Sequence, residues 1–252
     1  MEEEREIYGV KTSYKQEGEG KPMILLHGWG QNKEMMDAVF MHFKDRFHVF
    51  SLDFPGFGKS DNPPEAWGVT DYMYFLEAFI NAFDLQNPII IGHSFGCRVA
   101  IRYAATHDVR KMCLTGAAGI RPKRGLDYHI RTNTYKAGKW LLKVTGQKEK
   151  LEELQKNSGS EDYRNAEGIM KPTFVKVVND DVSDILKDVK CSVLLVWGEY
   201  DTAAPLWMGQ MMEKEMPDAG LAIFEGDDHW AYWHQADRFN RVLDIFLKED
   251  AA

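Results

Sequence analysis

The sequence predicts an α/β fold: a mostly parallel central sheet flanked by helices, with a helical insertion in its second half. Three observations carry that prediction. Short apolar runs of strand length alternate with amphipathic stretches of helical period over most of the 252 residues. One run, Ile89-Ile90-Ile91, passes at once into Gly92-His93-Ser94-Phe95-Gly96, the G-x-S-x-G pattern of a sharp strand-to-helix turn. The alternation then stops between Arg121 and Pro172, in a segment poor in strand signals, and resumes beyond it.

Taken in order, Tyr8–Gln16 alternates well enough for an opening strand, and Glu17-Gly18-Glu19-Gly20 reads as a turn. Met23-Ile24-Leu25-Leu26 is a buried strand that ends in His27-Gly28-Trp29-Gly30, with a helix from about Lys33 to Lys44. The glycines of such an H-G-x-G loop let the backbone fold back and aim an N–H at a substrate. The backbone N–H groups of Trp29 and Phe95 are therefore the candidate oxyanion hole, with His27 bracing the loop. Phe47–Asp53 is a further strand, running into the Pro/Gly-punctuated loop Phe54-Pro55-Gly56-Phe57-Gly58-Lys59-Ser60. Thr70 or Asp71 can cap a helix reaching about Phe83, whose Tyr72, Phe75, Leu76 and Phe79 form an apolar stripe.

At the elbow, the turn residue Ser94 must take a strained backbone conformation, and glycines on either side admit the neighbouring backbone. The helix behind it, through Arg98–Ala105, aims N–H groups and a positive dipole end at any oxyanion forming there. Lys111–Thr115 is the next strand, followed by the small-residue loop Gly116-Ala117-Ala118-Gly119. Residues 121–172 then read as several helices interrupted near Gly146 and Ser158-Gly159, an insertion over the main sheet. Val193–Trp197 restores the strands, with Gly198-Glu199-Tyr200-Asp201-Thr202-Ala203-Ala204-Pro205 behind it. A helix at Trp207–Met216, a strand at Leu221–Phe224, the loop Glu225-Gly226-Asp227-Asp228-His229 and a last amphipathic helix to about Lys248 close the chain. Residues 1–120 and 173–252 make the core domain, and 121–172 the insertion.

Bulk properties exclude several function classes. A hydrophobic content of 44% supplies a sizeable core, and a net charge of −8 argues against nucleic acid and gives no help on an anionic membrane. No apolar run reaches transmembrane length, and the acidic N-terminus is unlike a signal peptide. The three cysteines are odd in number and widely spaced, so neither a disulfide framework nor a metal site is expected, and Cys97 reads as core. A reduced, cytoplasmic protein is the simplest reading.

Four motifs stand in fixed order: H-G-W-G, D-F-P-G-F-G-K-S, G-H-S-F-G, and the late G-E-Y-D-T-A-A-P with G-D-D-H. Together they resemble the α/β-hydrolase family over nearly the whole chain, each following a predicted strand in the order Ser…Asp…His. The resemblance implies the α/β-hydrolase fold, with Ser94 as nucleophile, Asp201 as acid, His229 as base and residues 121–172 as the variable cap. It implies no metal and no organic cofactor. The loop after Asp53 is structural in that family, which sets Asp53 aside. Asp201 is preferred to Glu199 by its spacing from Gly198 and Pro205, and to Asp227 and Asp228 because these adjoin His229. His234 is the rival base, inside the final helix, and His93 is a packing residue.

The function implied is hydrolysis of an acyl bond, a carboxylic ester first, through an acyl-enzyme. Epoxide hydrolases and haloalkane dehalogenases share the fold, but their nucleophile is an aspartate where Ser94 stands. Carbon–carbon cleavage of a diketone, cofactor-free haloperoxidase or perhydrolase activity, and acyl transfer all suit the same triad. A slow or non-catalytic ligand receptor is the reading from another class. The partner is a small acyl substrate, with Trp140, Leu141, Leu142 and Trp230 as candidate pocket residues. The sequence names neither that substrate nor an oligomeric state.

Overall fold

Apolar runs bounded by glycine and proline become the middle of an eight-stranded sheet in the computed structural model, which describes residues 2–121, 134, 138–147 and 160–250. Its strands are β1 Glu2–Ile7, β2 Val10–Glu17, β3 Pro22–Leu26, β4 His48–Leu52, β5 Ile89–His93, β6 Lys111–Thr115, β7 Ser192–Gly198 and β8 Ala219–Phe224. They lie in the order β1-β2-β4-β3-β5-β6-β7-β8. Pairs along the sheet from β4 to β8 are parallel, while β1 pairs antiparallel with β2, and β2 antiparallel with β4.

The antiparallel edge corrects the sequence reading. The expected single strand from Tyr8 is a hairpin, and Tyr8 sits in its turn. Tyr8 and Gly9 take φ of 51° and 74°, the backbone that two-residue hairpins require. The missed strand β1 reads Glu-Glu-Glu-Arg-Glu-Ile, which looks like a solvated charge run. Charged side chains suit an outer strand because they discourage pairing with another chain. Here they also bond inward, with Glu3 accepting from the Tyr14 hydroxyl at 2.8 Å.

Helices cover both faces of the sheet. Alternate strand residues feed two cores: Ile24, Leu26 and Ile90 on one side, Met23, Leu25, Ile89 and Ile91 on the other. Helices α2 (Val69–Ala82), α3 (Phe95–Ala104) and α6 (Trp207–Glu215) close the first core. Helices α1 (Asp37–Phe43) and α8 (Ala236–Phe246) close the second. Neither Thr70 nor Asp71 is the first residue of α2. Asp71 caps it from inside instead, accepting the Gly68 N–H at 2.7 Å. The expected last helix is two, α7 (Ala231–His234) and α8, so His234 ends a single short turn.

Strand order reverses between β3 and β5: the chain goes from β3 to β4 on one side, then crosses to β5 on the other. In open parallel sheets, the carboxyl ends of the strands at such a point form the crevice where ligands bind. His27 and Ser94 follow these two strands.

Most of the segment expected as an insertion, 122–133, 135–137 and 148–159, lies outside the described residues. Within it, residues 138–144 are helical, and α4 (Glu161–Asn165) and α5 (Met170–Val178) follow. The boundary drawn at Pro172 falls inside α5, whose first turn tolerates a proline. Among the described residues no helix is long and apolar enough to cross a membrane.

Candidate active site

Ser94 occupies the turn between β5 and α3 with φ 49° and ψ −105°, a conformation that L-residues adopt only under constraint. Two backbone bonds impose it: Ser94 N–H donates to the Thr115 carbonyl at 3.0 Å, and Cys97 N–H donates to the Ser94 carbonyl at 3.2 Å. Gly96 fixes the depth of the turn. A Cβ there would stand 2.5 Å from the Leu26 carbonyl oxygen and 2.8 Å from that of His27, so α3 meets the end of β3 backbone to backbone. Phe95 is the first residue of α3, and an N–H in that place has no partner within its own helix.

The loop after β3 is closed by two bonds. Gln31 N–H donates to the Gly28 carbonyl at 3.3 Å, and the Gln31 side-chain oxygen accepts the Gly28 N–H at 2.9 Å, leaving Trp29 and Gly30 as the central residues. His27 braces this loop as expected. Its Nε2 accepts the Phe54 N–H at 3.0 Å, so the proton sits on Nδ1, which donates to the Gly28 carbonyl at 2.7 Å. Burial lowers its pKa to about 4, with the Gly28 carbonyl and Asp53 opposing only in part. A histidine depressed in the folded state contributes stability that is complete above its ordinary value of about 6.5 and lost as pH falls. The melting temperature is therefore expected to decline between about pH 6.5 and 4, and a flat profile across that window would contradict this role.

Asp53 is structural, as expected. Its carboxylate accepts the Lys33 N–H at 2.7 Å, the buried Lys33 Nζ at 2.8 Å and the Lys59 N–H at 2.9 Å, tying the Pro/Gly loop down.

Asp201 and His229 meet across 28 residues. Asp201 Oδ2 lies 2.7 Å from His229 Nδ1, and Asp201 Oδ1 accepts the N–H groups of Ala203 at 2.9 Å and Ala204 at 2.8 Å. The Asp201 side chain is fully buried and the His229 ring 15% exposed, so an imidazole held at Nδ1 keeps a route outward. His234, the rival base, is elsewhere: its Nδ1 bonds Asp227 at 2.8 Å. That contact also corrects the expectation that no metal-like cluster exists, because Asp227, Asp228 and His234 come together. Their atoms bond one another, Gln235 and local N–H groups, which accounts for the arrangement without an ion.

Gly116 joins this pair to Ser94, and it was missed as a functional position. It follows Thr115, the acceptor of Ser94, with φ 53°, and a Cβ on it would stand 2.9 Å from His229 Nδ1 and 3.3 Å from Asp201 Oδ2. Only a residue without a side chain lets the end of β6 lie against both groups. Its sequence signal was the small-residue loop directly after a strand. Gly116→Ala is expected to displace the imidazole and lower turnover roughly 10²-fold, the scale set by ångström misplacements. Steady-state kcat beside a retained melting curve checks it; near-normal kcat would show that the contact is idle.

His93 is buried, its ring 4.8 Å from that of His229, 5.2 Å from Trp230 and 4.5 Å from Tyr232. Burial, then the neighbouring His229, hold its pKa well below the ordinary range, so it packs as a neutral ring. Cys97 is fully buried, and its thiol is pushed far up by that burial, which leaves it core rather than nucleophile.

Of the candidate pocket residues, Trp230 is half-buried beside His93 and His229, Leu142 is half-buried, and Trp140 and Leu141 are exposed at 65% and 55%. A separate aromatic cluster packs around the loop after β3. Trp29 packs its ring on Phe57 at 4.8 Å, Phe174 at 5.1 Å and Phe95 at 5.5 Å, so α5 packs against that loop. A surface cavity of about 810 Å³, lined by residues such as Asn87, His107, Lys111 and Ser192, lies at the other end of the strands.

Comparison with known proteins agrees with this architecture. The sequence model described as the alpha/beta hydrolase family matches residues 23–242. A 2-hydroxy-6-oxo-6-phenylhexa-2,4-dienoate hydrolase of Comamonas testosteroni is 27% identical, over 98% of this chain and 94% of its own. Among solved structures, an esterase from Exiguobacterium antarcticum superposes with a TM-score of 0.76 at 21% identity, covering 98% of this chain and all of that one. A meta-cleavage product hydrolase from Pseudomonas fluorescens IP01 does so at 0.74 and 22% identity, covering 98% and 97%.

Proposed function

The chain belongs to the alpha/beta hydrolase family of enzymes, and from that premise we propose that it is a serine hydrolase cleaving an acyl bond, a carboxylic ester first, of a small, largely apolar substrate. The observation that carries this reading is the Asp201–His229 contact of 2.7 Å, held through Gly116 against the strained turn of Ser94. In it, Ser94 Oγ attacks the carbonyl carbon while His229 Nε2 takes the hydroxyl proton. Asp201 keeps the other ring proton on Nδ1 and offsets the charge of the imidazolium. The N–H groups of Trp29 and Phe95 receive the oxyanion. His229 then protonates the departing alcohol, and a water activated by the same imidazole releases the acid and restores Ser94. The half-buried ring of Trp29, packed on Phe57, Phe95 and Phe174, supplies apolar surface.

One relative favours a second reading. The dienoate hydrolase of Comamonas testosteroni points to carbon–carbon cleavage of a diketone by the same groups. Haloperoxidase or perhydrolase activity and a slow receptor remain on the same scaffold. The test is labelling of Ser94 by a fluorophosphonate, followed by multiple-turnover assays on matched esters, thioesters, lactones, amides and diketones. Ester turnover above the rest supports the proposal, diketone turnover above esters replaces it with the second reading, and labelling without turnover favours the receptor.

A further inference from the structure

The mouth of this crevice carries a carboxylate that the reaction does not use. Asp162, on α4, places Oδ1 4.0 Å from where a Cβ on Gly30 would sit, beside the loop read as the oxyanion hole. Partial withdrawal from water and the adjacent Glu161 push its pKa up, with His229 opposing them. The helix is seated rather than loose: Tyr163 packs its ring 6.2 Å from Phe174, which in turn packs on Trp29. The nearby cation Lys171 is held over the Tyr163 ring at 4.8 Å, and Arg164 has a partner of its own.

Resting on the serine-hydrolase reading, we infer that Asp162 is a specificity-determining residue that sets the charge of the accepted substrate, favouring neutral or cationic acyl compounds over those bearing a carboxylate near the scissile bond. The physical reason lies in the charge balance of the transition state. With a neutral substrate, the crevice holds an oxyanion and an imidazolium together, so a fixed negative charge repels one and attracts the other. A substrate carboxylate adds a further negative charge, and Asp162 opposes it at every step. The position is exposed enough for solvent to weaken the effect, which puts it at about 3–10-fold rather than orders of magnitude. Carboxylate-bearing dienoates fall on the disfavoured side.

The experiment compares kcat/KM for two activated esters of equal chain length, one ending in a methyl group and one in a carboxylate. Asp162→Asn is expected to raise the carboxylate-to-methyl ratio about 3–10-fold, and Asp162→Lys further, with both gains shrinking at high ionic strength. An unchanged ratio in both variants, with esters still turned over, overturns this inference alone. If diketones are the substrates instead, the same ratio on a neutral and a carboxylate-bearing diketone decides it by the same criterion. No turnover of either class by the wild-type chain overturns the hydrolase reading and this inference with it.

Discussion

Ser94→Ala is expected to remove several powers of ten of turnover and leave the fold intact. Removal of a triad nucleophile leaves only the catalysis supplied by binding and the oxyanion site. The fold should survive because Ser94 caps α3 with no side-chain hydrogen bond, and the strained φ of 49° burdens serine and alanine alike. Steady-state kcat on an activated ester, beside a melting curve, reads both halves of the prediction. Near wild-type turnover, or transfer of fluorophosphonate labelling to Cys97, would sink the assignment.

The second large effect belongs to Asp201→Asn, expected to cost about 10⁴ in kcat. The reason is visible in the hydrogen bonds. Oδ1 of residue 201 accepts the N–H groups of Ala203 and Ala204, so an asparagine must keep its carbonyl oxygen there. Its NH₂ then faces His229 Nδ1, which becomes an acceptor, and the ring proton moves to Nε2. A base carrying a proton on the nitrogen that should collect one cannot activate Ser94. A loss below tenfold would show that Asp201 neither sets the tautomer nor supports the charge.

Strands β3 to β8 were legible because parallel strands covered on both faces are nearly continuous apolar runs, as Met23–Leu26 and Ile89–Ile91 are. The elbow and the late acidic loop were legible because each motif is local to one strand end. What the sequence hid depends on contacts between distant segments. Gly116 matters only because His229, 113 positions away, lies against it. Asp162 and Phe174 belong to segments whose approach to Gly30 and Trp29 no local pattern encodes. Strand β1 was hidden by its charge, since its residues read as solvent-facing until Ser13 and Tyr14 are seen opposite them. Trp140 and Leu141 are apolar in type yet exposed.

The backbone contact at Gly96 has a consequence for laboratory evolution of this chain. With no side chain between α3 and the end of β3, the distance from Ser94 to the loop at Trp29 cannot be tuned in small steps. The smallest addition at Gly96 intrudes on two carbonyls at once, so a library there should return dead clones rather than graded ones. Selection for new substrates should instead collect its winners on α4 and α5, where Asp162 and Phe174 can change in charge and bulk without moving Ser94. Variation in this enzyme is thus channelled: a fixed reaction centre beneath a replaceable rim.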